Sequence, residues 1–263
     1  MRVPRPADTG LALLVAAPLV AGVEVGAGAR AAELSNLDSG LPTTVDDAFA
    51  VAPGRIELHG AVRYDRLPRG LDAVRLLPRV QVGLLEGLQA NIALPYTTGS
   101  GRRADPTDPE TGVLYNVNRE RAWLPAFAVS ADVTKRLGVA GSSPEVGLSA
   151  IATKTITPAV DRRLHLNVSW LRALDPAEED RRDRYRVIVG YSQLVSPSVV
   201  AVLDYIRQSQ ERREWRPSNI VEAGLRYQYT DAVTLGAGAG FGIGRDSPRF
   251  RAIASIQIGF GGR

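Results

Sequence analysis

Apolar and polar side chains alternate with a period of two through most of the chain after residue 54, and this alternation restricts the possible folds more than any other feature. Near residue 165, for example, Leu164 and Leu166 fall on one face of an extended chain, whereas His165 falls on the other. A period of two is the geometry of a β-strand, in which successive side chains point to opposite faces. The pattern therefore predicts an all-β protein.

Twelve segments carry this pattern, each about 8–13 residues long, which is the length that a tilted strand needs to cross a bilayer. Segment 111–118 alternates weakly; we include it because an even number of antiparallel strands brings both ends of a closed barrel to one side. The predicted strands are residues 55–65, 74–84, 88–96, 111–118, 123–135, 145–156, 164–170, 185–194, 199–209, 221–229, 232–243 and 250–260.

The connections between these strands alternate between short and long. The short ones are 86–87, 119–122, 158–161, 196–198 and 230–231, and the longer ones are 67–73, 98–110, 136–144, 173–184, 210–219 and 244–248. Short periplasmic turns and longer extracellular loops are typical of outer-membrane barrels, whereas a soluble β-sandwich has no reason to sort its loops in this way. We therefore predict a single antiparallel transmembrane β-barrel of about 12 strands.

Aromatic side chains gather toward both ends of the predicted strands. Rings of aromatic residues that flank an aliphatic band mark the two interfaces of a membrane barrel. We predict such a girdle here. Its members are Tyr64, Tyr96, Trp170, Tyr185, Tyr205 and Phe250 toward the long loops, and Trp123, Tyr227, Tyr229 and Phe260 toward the short turns.

The amino terminus has the features of a secretory signal peptide, namely an early positive charge, a short apolar run at residues 11–23 and a small-x-small pattern at residues 29–31. We expect residues 1–31 to be the signal peptide, residues 32–54 to be a periplasmic amino-terminal segment and residues 55–263 to form the barrel. An exported barrel of this kind belongs in the bacterial outer membrane.

The polar face of each strand points into the predicted barrel, so its side chains are candidates for lining the lumen. These candidates are Glu57, His59, Arg63, Asp65, Arg75, Arg79, Gln81, Asn91, Asp132, His165, Asn167, Asp204, Glu222, Arg226, Gln228, Arg251 and Gln257. Two interpretations are open. In the first, neighbouring charges, such as Asp65 with Arg75 or Glu222 with Arg226, neutralise one another. In the second, the charges form a lining that selects among solutes.

Five glycines share the inward parity of the strand at 232–243 and its end, namely Gly236, Gly238, Gly240, Gly242 and Gly244. A stripe without side chains allows another segment to lie against the wall. Residues 33–54, which contain Pro42 and Pro53, are the candidate for that segment and hence for a lumen plug. The alternative is that these glycines serve only the curvature of the sheet.

Composition argues against several other functions. The chain has no cysteine and only two histidines, which excludes thiol chemistry and argues against a His-rich metal site, so we expect neither a cofactor nor a metal. Asp105, Asp108 and Glu110 are expected to stay solvated in an exposed loop rather than bind calcium. A net charge of +4 is too small to suggest a nucleic-acid partner. His165 and Ser169 share one face with Asn167, but inward residues two apart project about 7 Å from each other, which argues against catalysis.

Four segments resemble the outer-membrane transporters grouped as the MetA-pathway of phenol degradation family. They are LPTTVDDAFAVAPGRIELHGAVRYDR (41–66), LQANIALPY (88–96), LSAIATKTITPAVDRRLHLNVSW (148–170) and the closing IQIGF (256–260). The resemblance implies an outer-membrane barrel that acts as a passive channel for small solutes, aromatic or hydrophobic ones among them, and it carries over no catalytic residue. The Arg-rich linkers and the Asp-Pro loop at 104–110 depart from the family pattern and leave the choice of solute open.

The sequence therefore predicts a passive outer-membrane channel for small solutes. The alternatives are a structural or adhesive barrel with a plugged lumen and, less favoured, an outer-membrane lipid hydrolase. Expected partners are outer-membrane lipids, lipopolysaccharide, a small-molecule solute, and the barrel-assembly machinery, which would recognise the strand that ends in Phe260. The arginines that would pair with lipopolysaccharide phosphates are Arg102, Arg103, Arg181, Arg182, Arg212, Arg213 and Arg216.

Overall fold

The computed structural model describes residues 34–100, 109–135 and 144–261, and within them it contains fourteen β-strands in one antiparallel sheet. The last strand pairs with the first from Ile56↔Phe260 to Arg66↔Phe250, so the sheet closes on itself and leaves no edge along this seam. The strands are β1 (Ile56–Arg66), β2 (Asp72–Leu76), β3 (Arg79–Leu85), β4 (Leu88–Ala93), β5 (Tyr96–Thr98), β6 (Glu110–Asn116), β7 (Ala126–Thr134), β8 (Glu145–Thr157), β9 (Arg162–Ala173), β10 (Asp183–Ser196), β11 (Val199–Gln208), β12 (Ser218–Gln228), β13 (Val233–Ile243) and β14 (Phe250–Phe260).

Two of the spanning strands are each interrupted by a proline. β2 continues as β3 beyond Pro78, and both pieces pair with β1. β4 continues as β5 beyond Pro95, and these pieces pair with β3 and β2. Because proline has no N–H group to donate to a ladder, each interruption divides one strand into two. Counted as spanning strands the described sheet has twelve, which confirms the predicted all-β barrel.

The predicted strand with the weakest alternation, residues 111–118, is present as β6, which pairs with β4 on one side and β7 on the other. It is one of the shorter spanning strands, and its pairing with β7 covers its whole length, whereas the pairing with β4 ends at Tyr115. The sequence prediction for this strand is confirmed.

The next strand begins later than its sequence pattern predicts, at Ala126 rather than at residue 123. Glu120 accepts hydrogen bonds from the Lys154 ammonium at 2.5 Å and from the Thr155 N–H at 2.7 Å, so the preceding chain is tied to β8 instead of extending β7. Burial alone would raise the pKa of Glu120, but these hydrogen bonds lower that pKa below its usual value. The connection 117–125 is therefore longer than the predicted turn.

The connections divide between the two ends of the barrel. At the end where β1 begins and β14 finishes, which we call the turn end, they are 86–87, 117–125, 158–161, 197–198 and 229–232. At the opposite end, the loop end, they are 67–71, 99–109, 135–144, 174–182, 209–217 and 244–249. The predicted sorting into short and long connections holds apart from 117–125 and 67–71. The predicted signal peptide (1–31) and the loop residues Arg102, Arg103, Asp105 and Asp108 lie outside the described residues.

The outer surface of the wall is apolar. On β9 the outward residues Leu166 and Val168 are 44% and 45% exposed, whereas His165 and Asn167 between them are 2% exposed. An apolar surface repeated on every strand far exceeds what a water-soluble monomer normally exposes, and it suits contact with lipid. Among the residues that the structure describes, no helix is both long and apolar enough to cross a membrane.

Residues 34–54, which we call the inner segment, lie inside the barrel. Together with inward-facing residues of the wall they form its hydrophobic core. Two apolar clusters form there because some inward positions of the wall are apolar. The first contains Leu37 and Val45 of the inner segment with Ile188, Val200, Val202, Ile206 and Ile220 of the wall. The second contains Ala48 of the inner segment with Leu114, Ala126, Ala128 and Ile151.

Candidate functional site

Two carboxylates of the lumen wall accept hydrogen bonds from the backbone of the inner segment. Asp204 Oδ2 accepts from the N–H groups of Thr44 and Val45 at 3.0 and 2.9 Å. Glu222 Oε2 accepts from the N–H and the hydroxyl of Thr44, both at 2.8 Å. These four hydrogen bonds satisfy the buried N–H groups of Thr44 and Val45, so β11 and β12 fix this part of the inner segment to the wall.

The side-chain amide of Asn167 on β9 binds both backbone groups of Asp46. Its oxygen accepts from the Asp46 N–H at 2.9 Å, and its nitrogen donates to the Asp46 carbonyl at 2.8 Å. The Asp46 carboxylate accepts from the Ser39 N–H at 2.6 Å. Burial, reinforced by the neighbouring charge of Asp38, raises the pKa of Asp46 to about 6.

Neutral side chains from three other strands bind the carboxyl-terminal half of the inner segment. Thr153 Oγ1 accepts from the Ala48 N–H at 3.0 Å, and the Asn116 amide donates to the Ala48 carbonyl at 2.6 Å. Gln89 Oε1 accepts from the Val51 N–H at 2.7 Å. The segment is therefore attached to strands on both sides of the lumen, not to one wall alone.

A chain of hydrogen bonds joins the beginning of the inner segment to β1. Arg226 donates to the carbonyl oxygens of Asn36 and Leu41. The same guanidinium donates to Gln257 Oε1 at 2.6 Å, and Gln257 Nε2 donates to Glu57 Oε2 at 2.6 Å. Arg226, Gln257 and Glu57 are each about 1% exposed, so these predicted lumen residues lie beneath the inner segment rather than in open water.

Part of the glycine stripe on β13 lies against Pro42 of the inner segment. A Cβ atom on Gly238 would lie 2.6 Å from the Pro42 carbonyl oxygen, and one on Gly224 of the adjacent β12 would lie 2.5 Å from Pro42 Cγ. At Gly236 the distance to Pro42 Cβ would be 3.2 Å. Side chains at these positions would displace the segment from the wall.

The glycines of the stripe that lie nearer the loop end have different neighbours. A Cβ on Gly240 would lie 2.8 Å from Glu222 Cγ, and one on Gly242 would lie 2.6 Å from Ser247 Cβ. Gly244 begins the connection at the loop end with a φ of 105°, a conformation that favours glycine. Close packing against the inner segment therefore accounts for only part of the stripe.

Arg251 on β14 is the centre of a buried ion-pair network toward the loop end. It donates to Asp65 Oδ1 and to Glu222 Oε1, both at 2.6 Å. Glu222 therefore pairs with Arg251, and the suggested pairing of Glu222 with Arg226 is not formed. Because Glu222 also binds the inner segment, this network connects the segment to β1 and β14.

The expected pairing of Asp65 with Arg75 is wrong. Asp65 lies opposite Ala73, and Arg75 lies opposite Arg63. The chain reverses between Leu67 and Leu71, whose N–H and carbonyl are joined at 2.8 Å, and this tight loop shifts the register by two residues. The Asp65 oxygens contact Arg251 and, at 3.0 Å, Arg63 instead.

A cavity of about 420 Å³ lies between the inner segment and the loop end. Its lining is strongly charged, and the Arg79 guanidinium lies 3.8 Å from the Glu110 carboxylate along the wall. Glu110, which the sequence analysis placed in a solvated loop, instead begins β6 and borders the cavity. Basic groups come from β1–β3, β10 and β14, and acidic groups of the wall come from β6–β8. The basic lining residues are Arg63, Arg75, Arg79, Arg184, Arg186 and Arg251, and the acidic wall residues are Glu110, Asp132 and Glu145.

The polar side chains of β9 do not form a catalytic arrangement. His165 contacts Thr153 Oγ1 at 3.1 Å through Nδ1 and Ser192 Oγ at 2.9 Å through Nε2. Ser169 is instead bonded to Ser149 at 2.8 Å between the two hydroxyls. Both His165 and Ser192 are 2% exposed and are absent from the cavity lining, so a substrate in the cavity does not reach this pair.

The remaining predicted lumen residues occupy different places. Gln81 donates to Asp38 Oδ1 of the inner segment at 2.9 Å, and Asn91 borders the cavity. Gln228 donates to the Thr230 carbonyl at 2.7 Å in a connection at the turn end. His59 lies beside Glu57, with 3.3 Å between His59 Nε2 and Glu57 Oε2.

The sequence prediction missed the apolar lumen residues, because it assigned apolar side chains to the lipid face. On β11 the inward residues Val200, Val202 and Ile206 share the parity of Asp204. The charged residue within this apolar run is the signal that would have identified their face. They pack with Leu37 and Val45 of the inner segment, and Ile206 also borders the cavity.

The predicted girdle residues lie near the two ends of the barrel, with exposed rings at Tyr96, Trp170, Tyr185 and Tyr205 toward the loop end and at Tyr227 and Tyr229 toward the turn end. Tyr64, Phe250 and Phe260 are half-buried, and Trp123 lies in the connection 117–125 rather than in a strand. Four further exposed rings were not predicted, namely Tyr115, Phe127, Trp215 and Phe241. Phe241 packs against Phe250, with 5.5 Å between the ring centroids.

Solved structures of outer-membrane channels share this fold. The COG4313 outer membrane channel from Pseudomonas putida F1 matches with a TM-score of 0.66 and 12% identity, over 86% of this chain and 100% of that one. The KdgM porin matches at 0.57 and 7% identity (77% and 98% of the chains), and the NanC porin at 0.52 and 13% identity (78% and 98%). No protein-family model and no curated protein matches the sequence. The chain thus has the fold of the outer-membrane channels.

Proposed function

We propose that this protein is a passive channel for small solutes in the bacterial outer membrane. The charged cavity enclosed by the closed barrel is the observation that carries this proposal. Its volume of about 420 Å³ falls within the range of about 300–1,000 Å³ that is usual for small-molecule sites. Charged side chains around a narrow lumen are a common device for selecting solutes.

The proposed solute is small and carries a charged or polar group. The cavity wall presents both guanidinium and carboxylate groups, which would hold a group of opposite charge by charge-assisted hydrogen bonds. The resemblance to the MetA-pathway of phenol degradation family adds the expectation of an aromatic ring. We therefore choose aromatic ions of both signs as probes.

The outer-membrane location rests on the apolar exterior and its aromatic rims. At the loop end the connections 174–182 and 209–217 are joined, because Arg181 donates to the Arg213 carbonyl at 2.7 Å and Arg213 donates to the Asp180 carbonyl at 2.9 Å. The arginines of these connections are the proposed contacts for lipopolysaccharide phosphates. The strand ending in Phe260 is the proposed signal for the barrel-assembly machinery.

A plugged structural or adhesive barrel is the second candidate, and the specific observation in its favour is the attachment of the inner segment to strands around the lumen. In this case the exposed loops, and not the lumen, would carry the function. An enzymatic role is not proposed, because the one Ser–His pair described above is sealed from the cavity.

Single-channel recording distinguishes the two candidates. The full chain, folded in detergent and inserted into planar bilayers in potassium chloride, is expected to give discrete current steps. Benzenesulfonate and phenyltrimethylammonium, which carry opposite charges on the same ring, are expected to reduce the current to different extents. Correctly folded protein that inserts and carries no current would contradict the channel and support the plugged barrel.

A further inference from the structure

Three potential metal ligands from two separate parts of the chain meet at the boundary between the inner segment and β1. Asp38 belongs to the inner segment, whereas Glu57 and His59 are inward residues of β1. All three are buried, and one ligand atom from each lies within 4.8 Å of the others. His59 Nε2 lies 3.3 Å from Glu57 Oε2 and 4.0 Å from Asp38 Oδ2.

The cluster contains a buried acceptor that lacks a hydrogen-bond donor. Asp38 Oδ2 has no hydrogen-bond partner among the described residues, although the Asp38 side chain is only 12% exposed. A carboxylate oxygen that loses its water without gaining a donor is costly, and a bound cation removes that cost. His59 is only 6% exposed, and its Nε2 is directed toward the two carboxylates.

Neighbouring side chains already fix the orientation of the Asp38 and Glu57 carboxylates. Gln81 donates to Asp38 Oδ1 at 2.9 Å, and Gln257 donates to Glu57 Oε2 at 2.6 Å. The Arg55 guanidinium lies 3.2 Å from Glu57 Oε1. Supporting hydrogen bonds of this kind are a usual feature of protein metal sites, where they hold the ligands in position.

We propose that Asp38 Oδ2, Glu57 Oε2 and His59 Nε2 bind one divalent transition-metal ion, with Zn²⁺ as the best match, and thereby tie the inner segment to the barrel wall. Bond lengths of about 2.1 Å in a tetrahedral site place ligand atoms about 3.4 Å apart. His59 Nε2 and Glu57 Oε2 are already at 3.3 Å, whereas Asp38 Oδ2, at 4.0 Å from His59 Nε2, would move closer on binding. Asp38 and His59 also border the cavity, so the ion has a route of entry and its fourth position is open to water.

This site differs from the one that composition argues against. The chain has too few histidines for a His-rich centre, but one histidine with two carboxylates is a sufficient donor set for zinc. The site brings together residues 38 and 57, so metal binding would stabilise the attached position of the inner segment. The proposal does not depend on whether the barrel conducts solutes.

Calorimetric titration of the full chain with zinc chloride tests the site. Protein folded in detergent and freed of metal with EDTA is expected to bind one Zn²⁺ per chain. X-ray absorption of the loaded protein is expected to show one imidazole nitrogen among oxygen neighbours. Asp38→Asn and His59→Gln are each expected to weaken binding at least tenfold, about the effect of removing one ligand.

His165→Gln is the matched control, because His165 is the only other histidine and is bonded to Thr153 and Ser192 instead. It is expected to keep stoichiometric zinc binding. Heat-dependent mobility on gels verifies that each variant is folded, and Asp38→Asn, which lies outside the strands, tests the site even if His59→Gln does not fold. Wild-type protein that binds no zinc, or equal losses in His165→Gln and Asp38→Asn, would overturn the proposal.

Discussion

The lumen has two regions that are filled in different ways. The first, which we call the segment region, is occupied by the inner segment, and there the side chains of Asp204, Asn167 and Thr153 are hydrogen-bonded to the segment's backbone. In the cavity region, Arg79 and Glu110 border open space. A buried backbone N–H group needs a partner, so the polar residues of the first region are explained by the segment they hold. Within the described part of the chain, Arg79 and Glu110 are not hydrogen-bonded to the inner segment, and they are the candidates for contact with a solute.

Deletion of residues 33–50 is expected to have the largest effect, because it removes most of the inner segment from the lumen. Water would replace the segment along the lumen, so single-channel conductance should increase several-fold relative to the full chain. The measurement is current at fixed voltage in planar bilayers. Unchanged conductance would mean that residues 33–50 do not restrict the lumen.

Gly238→Ala is expected to loosen the inner segment, because the added Cβ would lie 2.6 Å from the Pro42 carbonyl oxygen. Overpacking of this kind costs about 1–3 kcal/mol in free energy of unfolding. Gly60→Ala on β1 is the matched control, since its Cβ would meet Ile256 Cγ2 at an ordinary 3.4 Å. Urea unfolding of refolded protein, followed by tryptophan fluorescence, measures both variants. Equal effects of the two variants would argue against contact between Pro42 and β13.

Asn167→Ala is expected to cost about 1–2 kcal/mol, because it leaves the partly buried N–H and carbonyl of Asp46 without their partner. Ser169→Ala, on the same strand and face, removes one hydroxyl that is bonded to Ser149 and should cost less, about 1 kcal/mol or below. The same unfolding measurement applies. A larger loss in Ser169→Ala would reverse the assignment of roles along β9.

Arg79→Gln and Glu110→Gln are expected to leave stability almost unchanged, within about 1 kcal/mol, because their 3.8 Å contact is a weak and partly solvated ion pair. They should instead shift ion selectivity in opposite directions, with anions less favoured after Arg79→Gln and cations less favoured after Glu110→Gln. Reversal potentials across a salt gradient measure these shifts. Shifts of the same sign in both variants would contradict a role for cavity charges in selection.

The alternation of side chains was sufficient to predict the fold, because lipid contact and strand geometry both follow directly from it. It was not sufficient to predict register. The pairing of Asp65 with Arg75 failed because a shift of two residues keeps every side chain on the same face, so parity alone does not detect it. The short connection after β1 determines the register, and its conformation is not evident in the sequence pattern.

The contents of the lumen were harder to predict than its wall. The glycine stripe suggests residues 33–54 as its neighbour, and in the structure Pro42 lies against Gly236 and Gly238 of the stripe. Inward residues such as Val200 and Ile220 were assigned no role, because an apolar side chain in a membrane barrel is expected to face lipid. Only the position of the inner segment explains why they face inward.

Labelling of single cysteines tests the central claim, a closed barrel with lipid outside and water in the cavity, most directly. The chain has no native cysteine, so Val168→Cys and Ser169→Cys each introduce one thiol at neighbouring positions of β9. Val168 faces outward and is 45% exposed, whereas Ser169 borders the cavity. In liposomes, a charged water-soluble maleimide should label Ser169→Cys and spare Val168→Cys; labelling of Val168→Cys alone, or of both to the same extent, would contradict the account.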